Sequence, residues 1–568
     1  MHELLLEPLK FYDSVGKSTH EQNAKAHFSS LVTQSRVNIE ENRATVKRYN
    51  AELEVIDRLT KIISKFKTFK LLLIIAIIIG IILSIFSFSQ FSQSTTNGIL
   101  FLSIGLILVV VSVLLLINKV NPKIKDTDAV RDEHVRKSEM ILNEAWEQMA
   151  PLNALFRDDD ALRLVEKTIP EFAFENRFTK DLEKLFISEY DFVDLQNDEC
   201  SMTDTLSGKF AGNPFVFGRR RVHTMGMETY HGTLTITWTE SYRDSSGNLQ
   251  TRHRSQVLHA SVTKPKPYYS SNTFLAFGNQ AAPDLNFSRE NCHFERLSEK
   301  ALERKIKHGE NKLQRQAAKA IKKGEQFQEM ANTEFDVLFG ATDRDHEVQF
   351  RLMYTPLAQK NTVDLIKDKN YYGDDFDFTK MGKFNVIMSE HAQNWKMNTS
   401  PSNYISYDVD MAGSKFVDFN SEFFKSVFFD FAPLFSVPAY LEEPCAIWDD
   451  DMNYRSNYTR YEHEVMANAA DYYELVHDYS KTEAIMKTRF VRKEKDADII
   501  EITANSYETF NRLDLIPVLG GDGRFHNVPV HWVEYSPVSK TTLARISESI
   551  STASDNTTSY HGTNINIL

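Results

Sequence analysis

The residues of this chain that could hold a metal, move a proton or grip an anion fall into short runs. Most of those runs fail the spacing their chemistry needs. Tyr371–Phe378 carries Asp374, Asp375 and Asp377. A calcium loop opened at Asp375 needs glycine at its sixth position and glutamate at its twelfth, where Lys380 and Val386 stand. His463 and Glu464 begin as a zinc-binding helix does, but Ala467 and Asn468 occupy the places where a second histidine is required. His526 and His531 are five apart, which in one strand sets them on opposite faces. The Asp449–Asp451 run has no ligand spacing and reads as a solvated loop. No metal site and no cofactor are therefore expected.

Two further runs imitate catalytic or phosphate-binding patterns. Asp408 and Asp410 resemble the acidic pair with which glycosyltransferases hold a metal nucleotide-sugar; the alternative is a polar strand end. Gly520, Gly521, Asp522 and Gly523 precede Arg524, and backbone N–H groups of such a loop can cradle a phosphate. No GxxxxGK[ST] pattern follows, and a hairpin turn explains the glycines equally well. No Gly-x-Ser-x-Gly elbow is present. Cys200, Cys292 and Cys445 are isolated, without a CxxC, so neither a disulfide framework nor a thiolate zinc site is indicated. The balance leans away from an enzyme.

The basic run is the most suggestive. Lys300, Arg304, Lys305, Lys307, Lys312, Arg315, Lys319, Lys322 and Lys323 outnumber Glu299, Glu303 and Glu310 over a stretch with a helical apolar stripe of Leu302, Ile306, Leu313, Ala317 and Ile321. Lys305, Lys312, Arg315, Lys319 and Lys322 are the candidate contacts to anionic lipid, each base near such a surface contributing about 1 kcal/mol. The competing reading is a helix that packs by its stripe and turns its charges to water. Arg219–Arg221 could extend the patch.

These residues must be positioned by the surrounding elements. Leu71–Phe88 is almost wholly Leu, Ile and Phe and carries no charge, and Ile99–Ile117 is similar. At about 1.5 Å per residue each suffices to cross a hydrocarbon core of about 30 Å. Arg58, Lys61, Lys65, Lys67 and Lys70 precede the first span; Lys119, Lys123 and Lys125 follow the second; the Ser89–Gly98 loop is uncharged. The positive-inside rule then puts both termini in the cytoplasm. The spans hold no ionisable residue, which disfavours a charged pathway through them.

Before the spans, Val46, Tyr49, Leu53, Ile56 and Ile63 follow an a/d pattern; after them, Ile141, Ala145, Met149 and Leu152 share a helical face. Either these stretches pair as an antiparallel stalk or each packs separately on a globular domain. Thr233–Thr239, with Leu234, Ile236 and Trp238 alternating, predicts a half-buried strand in a hairpin with Val257–Val262, turning at Ser245–Asn248 and ended by Pro265 and Pro267. Strands are also predicted at Glu334–Phe339, Glu347–Tyr354, Phe384–Ser389, Tyr404–Asp410, Ala497–Ala504 and Asn527–Tyr535. Helices are predicted at Ser298–Lys323, after Thr355 and Pro356, at Ser421–Phe428 and at Thr459–Tyr479.

Glu334–Pro356 reads EFDVLFGATDRDHEVQFRLMYTP, and Gly208–Gly232 reads GKFAGNPFVFGRRRVHTMGMETYHG. These segments, behind a helical N-terminus and two tight spans, resemble an uncharacterised family of bacterial two-span membrane proteins with a cytosolic domain of unknown function. The likeness covers roughly residues 139–390. It implies a bacterial inner-membrane location and carries no catalytic residue.

The bulk numbers agree with a folded chain: 568 residues, 39 Phe, 22 Tyr and a formal charge of −12. The acidic balance argues against nucleic acid as a partner. The expected organisation is α+β: a helical, coiled-coil-like segment (1–70), a transmembrane hairpin (71–117), a helical connector (118–188), a largely antiparallel α+β domain (189–400), a C-terminal α+β part within it or separate (401–546), and a disordered tail (547–568). The expected role is a membrane-anchored interaction or scaffold module contacting lipid and a protein partner or further copies of itself. The alternatives are a tethered enzyme acting on an envelope or nucleotide substrate, or an oligomeric channel.

Overall fold

The computed structural model describes residues 2–91, 95–175, 177–243, 248–324, 327–393, 396–442, 457–495, 497–548, 559–560 and 563–568. The fold is mixed α+β with antiparallel sheets. Two compact units form: Ala24–Arg157 with Ser400–Phe419, and Met1–Asn23 with Asp158–Thr399 and Asn420–Leu568.

Short helices α1 (His2–Leu5) and α2 (Pro8–Phe11) lead through a π turn at Tyr12–Gly16 to α3 (Lys17–Ser35). Asn38 then starts α4 (Ile39–Phe91), its Oδ1 accepting from the Glu41 N–H at 3.2 Å. The following α5 (Thr95–Leu115) passes through a π turn at Leu116–Val120 into α6 (Asn121–Asn153). Two stretches in these helices are long and apolar enough to cross a membrane. Their large side chains stand outward, with Ile82 at 59% and Ile107 at 61% exposure. The helices run through Phe91 and resume at Thr95, reaching into the stretch expected as a ten-residue loop; residues 92–94 lie outside the described ones.

The stalk is the antiparallel pair. Arg48 pairs with Glu144 at 2.8 Å, Glu52 with His134 at 2.5 Å, and Gln148 donates to Thr45 at 3.1 Å. Higher numbers on α4 meet lower numbers on α6, as antiparallel helices require. Val46, Ile63, Ala145, Met149 and Leu152 are buried, whereas Leu53 is 40% exposed. Asn42, which interrupts the apolar seam, is fully buried and donates to the Tyr407 carbonyl at 3.0 Å while accepting from the Val409 N–H at 3.1 Å.

The second unit continues with α7 (Asp160–Thr168), β1 (Phe172–Glu175), α8 (Lys180–Glu189), β2 (Cys200–Phe210), β3 (Asn213–Arg243), β4 (Leu249–Gly278) and β5 (Asn286–Arg289). Next come α9 (Glu299–Lys323), α10 (Thr333–Phe339), α11 (Glu347–Met353), α12 (Pro356–Lys367), β6 (Phe376–Met381) and β7 (Phe384–Ser389). Helix α13 (Val409–Phe435) runs through both units; α14 (Arg460–Ala469), α15 (Tyr472–Leu475), β8 (Ile485–Glu494), β9 (Ala497–Leu519), β10 (Phe525–Glu548), β11 (Ser559–Tyr560) and β12 (Thr563–Ile567) complete the chain. One sheet has the order β1-β2-β3-β4-β7-β6-β5 and the other β11-β12-β10-β9-β8. The C-terminal strands thus build their own sheet inside the same compact unit. Phe431 of α13 seals the first sheet against Phe172, Phe210 and Phe215, with centroids 4.9, 5.6 and 5.1 Å away.

Several sequence expectations are corrected. Glu334–Phe339 and Glu347–Tyr354 lie on helices, not strands. Asn332 caps α10, Gly340 closes it at φ +73°, and His346 caps α11. Phe335, Leu338, Phe339, Phe350, Met353 and Tyr354 are buried at helical i, i+3 and i+4 spacing. Arg344, with no exposed side-chain surface, ties the two helices by pairing with Asp336 at 2.6 Å and Glu347 at 2.8 Å. Tyr404–Asp410 is not a strand but a short 3-10 exit and the first turn of α13.

The 233–262 hairpin is real but far longer than predicted, running from Phe215 opposite Phe277 to Arg243 opposite Leu249. Pro265 and Pro267 do not end it. They alternate along β4, which pairs with β7 only at Leu275–Gly278, so their missing donors face an unpaired edge. The turn at Ser245–Gly247 lies outside the described residues, as do Cys445 and Asp449–Asp451. In place of a wholly disordered tail, Thr563–Ile567 pairs with Ala544–Glu548, burying Ile565 in an apolar cluster with Ile546; residues 549–558 and 561–562 lie outside the described ones.

Candidate functional site

The basic helix forms as its sequence dictates. Helix α9 contains no proline, carries Glu299 in its first turn and Lys322 and Lys323 in its last, and stops at Gly324 in the left-handed region, φ +73°. Leu302, Leu313 and Ala320 are buried; Leu313 and Ala320 share an apolar cluster with Phe327. Gly309 lets Val337 of α10 close in: a Cβ there would lie 2.5 Å from its Cγ1. The inward stripe is rotated slightly from the expected one, Ala320 replacing Ile321, which is 75% exposed.

That rotation decides where the charges go. Lys305, Lys312 and Lys319 recur every seven residues, as do His308, Arg315 and Lys322, so they form two neighbouring rows along the helix. Each row extends about 21 Å at 1.5 Å per residue. Glu303 and Glu310 form a row roughly 130–170° around the axis from them. All five candidate cations are exposed. Lys305 sits over the Phe294 ring, 5.0 Å from its centroid. Among the described residues, no carboxylate lies within ion-pair reach of Lys312, Arg315, Lys319 or Lys322. The helix therefore presents one face of unneutralised positive charge.

Arg219–Arg221 do not extend it. Arg219 donates to Thr273 and to the Ala392 carbonyl, both at 3.0 Å; Arg220 lies over the Phe274 ring; Arg221 pairs with Glu483 at 2.8 Å. These guanidiniums hold neighbouring strands and loops together.

The other sequence candidates are occupied by structural tasks. Asp408 Oδ1 accepts from the Asp410 N–H at 2.9 Å in the first turn of α13, and Asp410 grips the Arg43 guanidinium at 2.8 and 2.9 Å. A metal nucleotide-sugar would have to displace both contacts. The Gly520–Gly523 loop is the β9–β10 turn, closed by Gly520 N–H to Arg524 carbonyl at 2.8 Å, with Gly523 at φ +75°. His463 faces Asp498 at 3.2 Å, and Glu464 pairs with Lys487 at 2.7 Å. Among the described residues no group of three His, Cys, Asp or Glu side chains is arranged to hold a metal ion.

Sequence reading missed a buried ionic knot. His391 stands between Asp374, 3.1 Å from Nδ1, and Asp430, 3.1 Å from Nε2, and Ser389 donates to Asp430 at 2.5 Å. Burial alone would lower the imidazole's pKa, but the carboxylates of Asp430 and Asp374 outweigh it and push the value up to about 10. Next to it, Arg289 and Asp375, both without exposed side-chain surface, pair at 2.5 Å. The members come from β5, the β6 entry, the β7 exit and α13, so no local spacing announces them. An imidazolium clamped on both sides holds these elements together and is poorly placed to exchange a proton.

No protein-family model, curated protein or solved structure matches the chain.

Proposed function

We propose that this chain is a membrane-anchored interaction module, its α4–α5 hairpin inserted in a bilayer and the exposed basic face of α9 binding anionic lipid headgroups. The observation that carries the reading is the segregation of α9: two cationic rows without carboxylate partners on one side, Glu303 and Glu310 on the other. A helix kept only for solubility gains from interspersed opposite charges, which pair along its face; here Lys300 and Lys307 stand beside Glu303 and Glu310, while the two cationic rows have no carboxylate three or four positions away within the helix. The uncharged spans with basic flanks favour insertion with both termini on the cytoplasmic side, where the anionic leaflet lies. The family resemblance supports the same reading and a bacterial inner membrane.

The test uses the full chain in nanodiscs of neutral lipid, presented with vesicles containing or lacking anionic lipid. Reversing Lys312, Arg315 and Lys319 to Glu removes at least about 3 kcal/mol at about 1 kcal/mol per base, or roughly a hundredfold in affinity. Wild type is expected to bind anionic vesicles with strong salt dependence, and the triple variant to lose that binding. Equal binding by both would dismiss the lipid role and leave a protein partner as the use of this face.

A further inference from the structure

A cavity of about 310 Å³ lies where β3 and β4 meet β9 and β10, inside the unit built from Met1–Asn23, Asp158–Thr399 and Asn420–Leu568. Its wall includes Asp198 and Glu199 ahead of β2, His223 of β3, Tyr269 of β4, and Ser506 and Tyr507 of β9. No lysine or arginine stands among the described residues of that wall. The volume sits at the lower end of the range of about 300–1,000 Å³ that small-molecule sites occupy.

Two buried polar atoms of this wall are left without a partner. Ser506 is 2% exposed, and its hydroxyl makes no hydrogen bond in the structure. The His223 Nε2 is likewise buried and unbonded. Folded interiors seldom leave such groups unmet. The rest of the imidazole is held firmly. Its Nδ1 lies 2.5 Å from a Glu199 carboxylate oxygen, and the His223 backbone N–H donates to the Glu199 carbonyl at 2.8 Å. Tyr507 stacks on the ring with centroids 5.5 Å apart, and Tyr269 tilts against it at 5.4 Å. A carboxylate only accepts, so Nδ1 carries the proton and Nε2 presents a lone pair.

What this wall lacks is a donor. Nε2 accepts, the Ser506 oxygen can accept, and Asp198 and Glu199 accept at the rim. Burial and the Glu199 charge hold the Tyr507 phenol above its usual pKa, the sign of a negative potential. Lys487 and Arg221, on β8 and β3, are already paired with Glu464 and Glu483 at 2.7 and 2.8 Å. An anion would be repelled here; an ammonium group brings three N–H donors and the balancing charge.

We infer that this cavity binds a small primary amine, its N–H donors met by the His223 Nε2 and the Ser506 oxygen and its charge by Glu199 and Asp198. Glu199 then acts twice, as a counter-charge and as the group that fixes which imidazole nitrogen is free to accept.

The experiment is calorimetric titration of the full chain in detergent with ethylamine, and with tetramethylammonium as a cation of equal charge that has no N–H to give. Ethylamine is expected to bind and tetramethylammonium not to. Glu199→Gln should weaken binding at least tenfold, the scale of one charge-assisted hydrogen bond. His223→Phe keeps a ring between the two tyrosines, removes Nε2 and should abolish binding. Ser506→Ala should weaken it severalfold without lowering the melting temperature, because the hydroxyl it removes supports nothing in the fold itself. Reversal of Lys312, Arg315 and Lys319 on α9 is expected to leave amine binding unchanged, so the cavity and the helix face stand or fall separately. Absence of binding at millimolar ethylamine, equal binding of the two cations, or an affinity indifferent to all three substitutions would overturn the assignment.

Discussion

Gly80 and Gly105 meet backbone to backbone. A Cβ on Gly105 would lie 2.7 Å from the Gly80 carbonyl oxygen, and one on Gly80 would lie 2.9 Å from that of Gly105. Ser84 completes the contact, donating to the Gly80 carbonyl at 2.8 Å. In an apolar solvent, close approach of small residues is what holds two helices together, because apolar side chains gain nothing by leaving lipid. Gly105→Ile is therefore expected to force α4 and α5 apart at a cost of about 1–3 kcal/mol, the usual range for overpacking. Thermal unfolding in detergent reads this; an unchanged midpoint would mean the crossing does not support the hairpin.

Two buried histidines contribute to stability in opposite directions on either side of about pH 6.5. The His20 ring stacks on Phe424 at 4.3 Å between centroids, with Nε2 donating to the Asn420 carbonyl at 3.0 Å. Burial, only partly opposed by nearby carbonyls, lowers its pKa to about 4. Its contribution is complete above about 6.5 and declines as pH falls towards 4, because the unfolded chain takes up the proton first. His391 behaves oppositely: raised to about 10, it stabilises fully below about 6.5 and loses its contribution as pH climbs through 10. With Glu462→Gln removing the opposing slope of that buried acid, melting temperatures from pH 4 to 10 should fall on both sides. His391→Asn should flatten the alkaline limb and His20→Gln the acid limb; limbs unaltered by either substitution would refute the assignment.

The Arg289–Asp375 pair lends itself to a different comparison. Both side chains are wholly buried, and Asp375 Oδ2 also accepts from the Cys292 N–H at 3.0 Å. Removing one partner strands the other charge in a poorly solvating interior, so Arg289→Met alone should cost about 3–5 kcal/mol. Arg289→Met with Asp375→Leu should recover much of that loss, because replacing a buried pair with apolar groups is often near neutral. Denaturant midpoints of these two variants and of Asp375→Leu decide: a double-variant loss equal to the sum of the two single losses would show that each residue acts alone.

Most of what the sequence conveyed came through strong local periodicity. The spans, the α4–α6 pair, α9, and Thr355 with Pro356 at the start of α12 all have signals contained within one or two turns. Asn332, Gly340 and His346 went unread as caps, so the Phe-rich segments on α10 and α11 passed for strands. The lengths of β3 and β4 were hidden because their Thr-, His- and Pro-rich ends break the apolar alternation while edge pairing continues. The exposed face of α9 was legible in charge counts, although its azimuth needed the burial of Ala320 rather than Ile321. The His391 knot was illegible, being assembled from segments far apart in the chain, from Arg289 to Asp430.

Glu462 supplies the last prediction. It is buried in α14, and one oxygen accepts from the Phe178 N–H at 2.8 Å and the Thr205 hydroxyl at 2.5 Å, while Oε2 has no partner in the structure. Burial, partly offset by those two donors, pushes its pKa up from 4.5 to about 7. An acid whose folded value lies above its unfolded one favours the protonated form, so its charge becomes a growing cost as pH rises from about 4.5 to 7 and a constant one above. Glutamine keeps an acceptor for both donors and carries no charge. Glu462→Gln should therefore raise the melting temperature by a few degrees at pH 8 and change it little at pH 4.5, about 1 kcal/mol corresponding to a few degrees in a domain of this size. Equal shifts at the two pH values would trace the effect to packing; destabilisation at pH 8 would mean the ionised carboxylate is held by charges that the burial argument leaves out, with Arg177 the first to substitute.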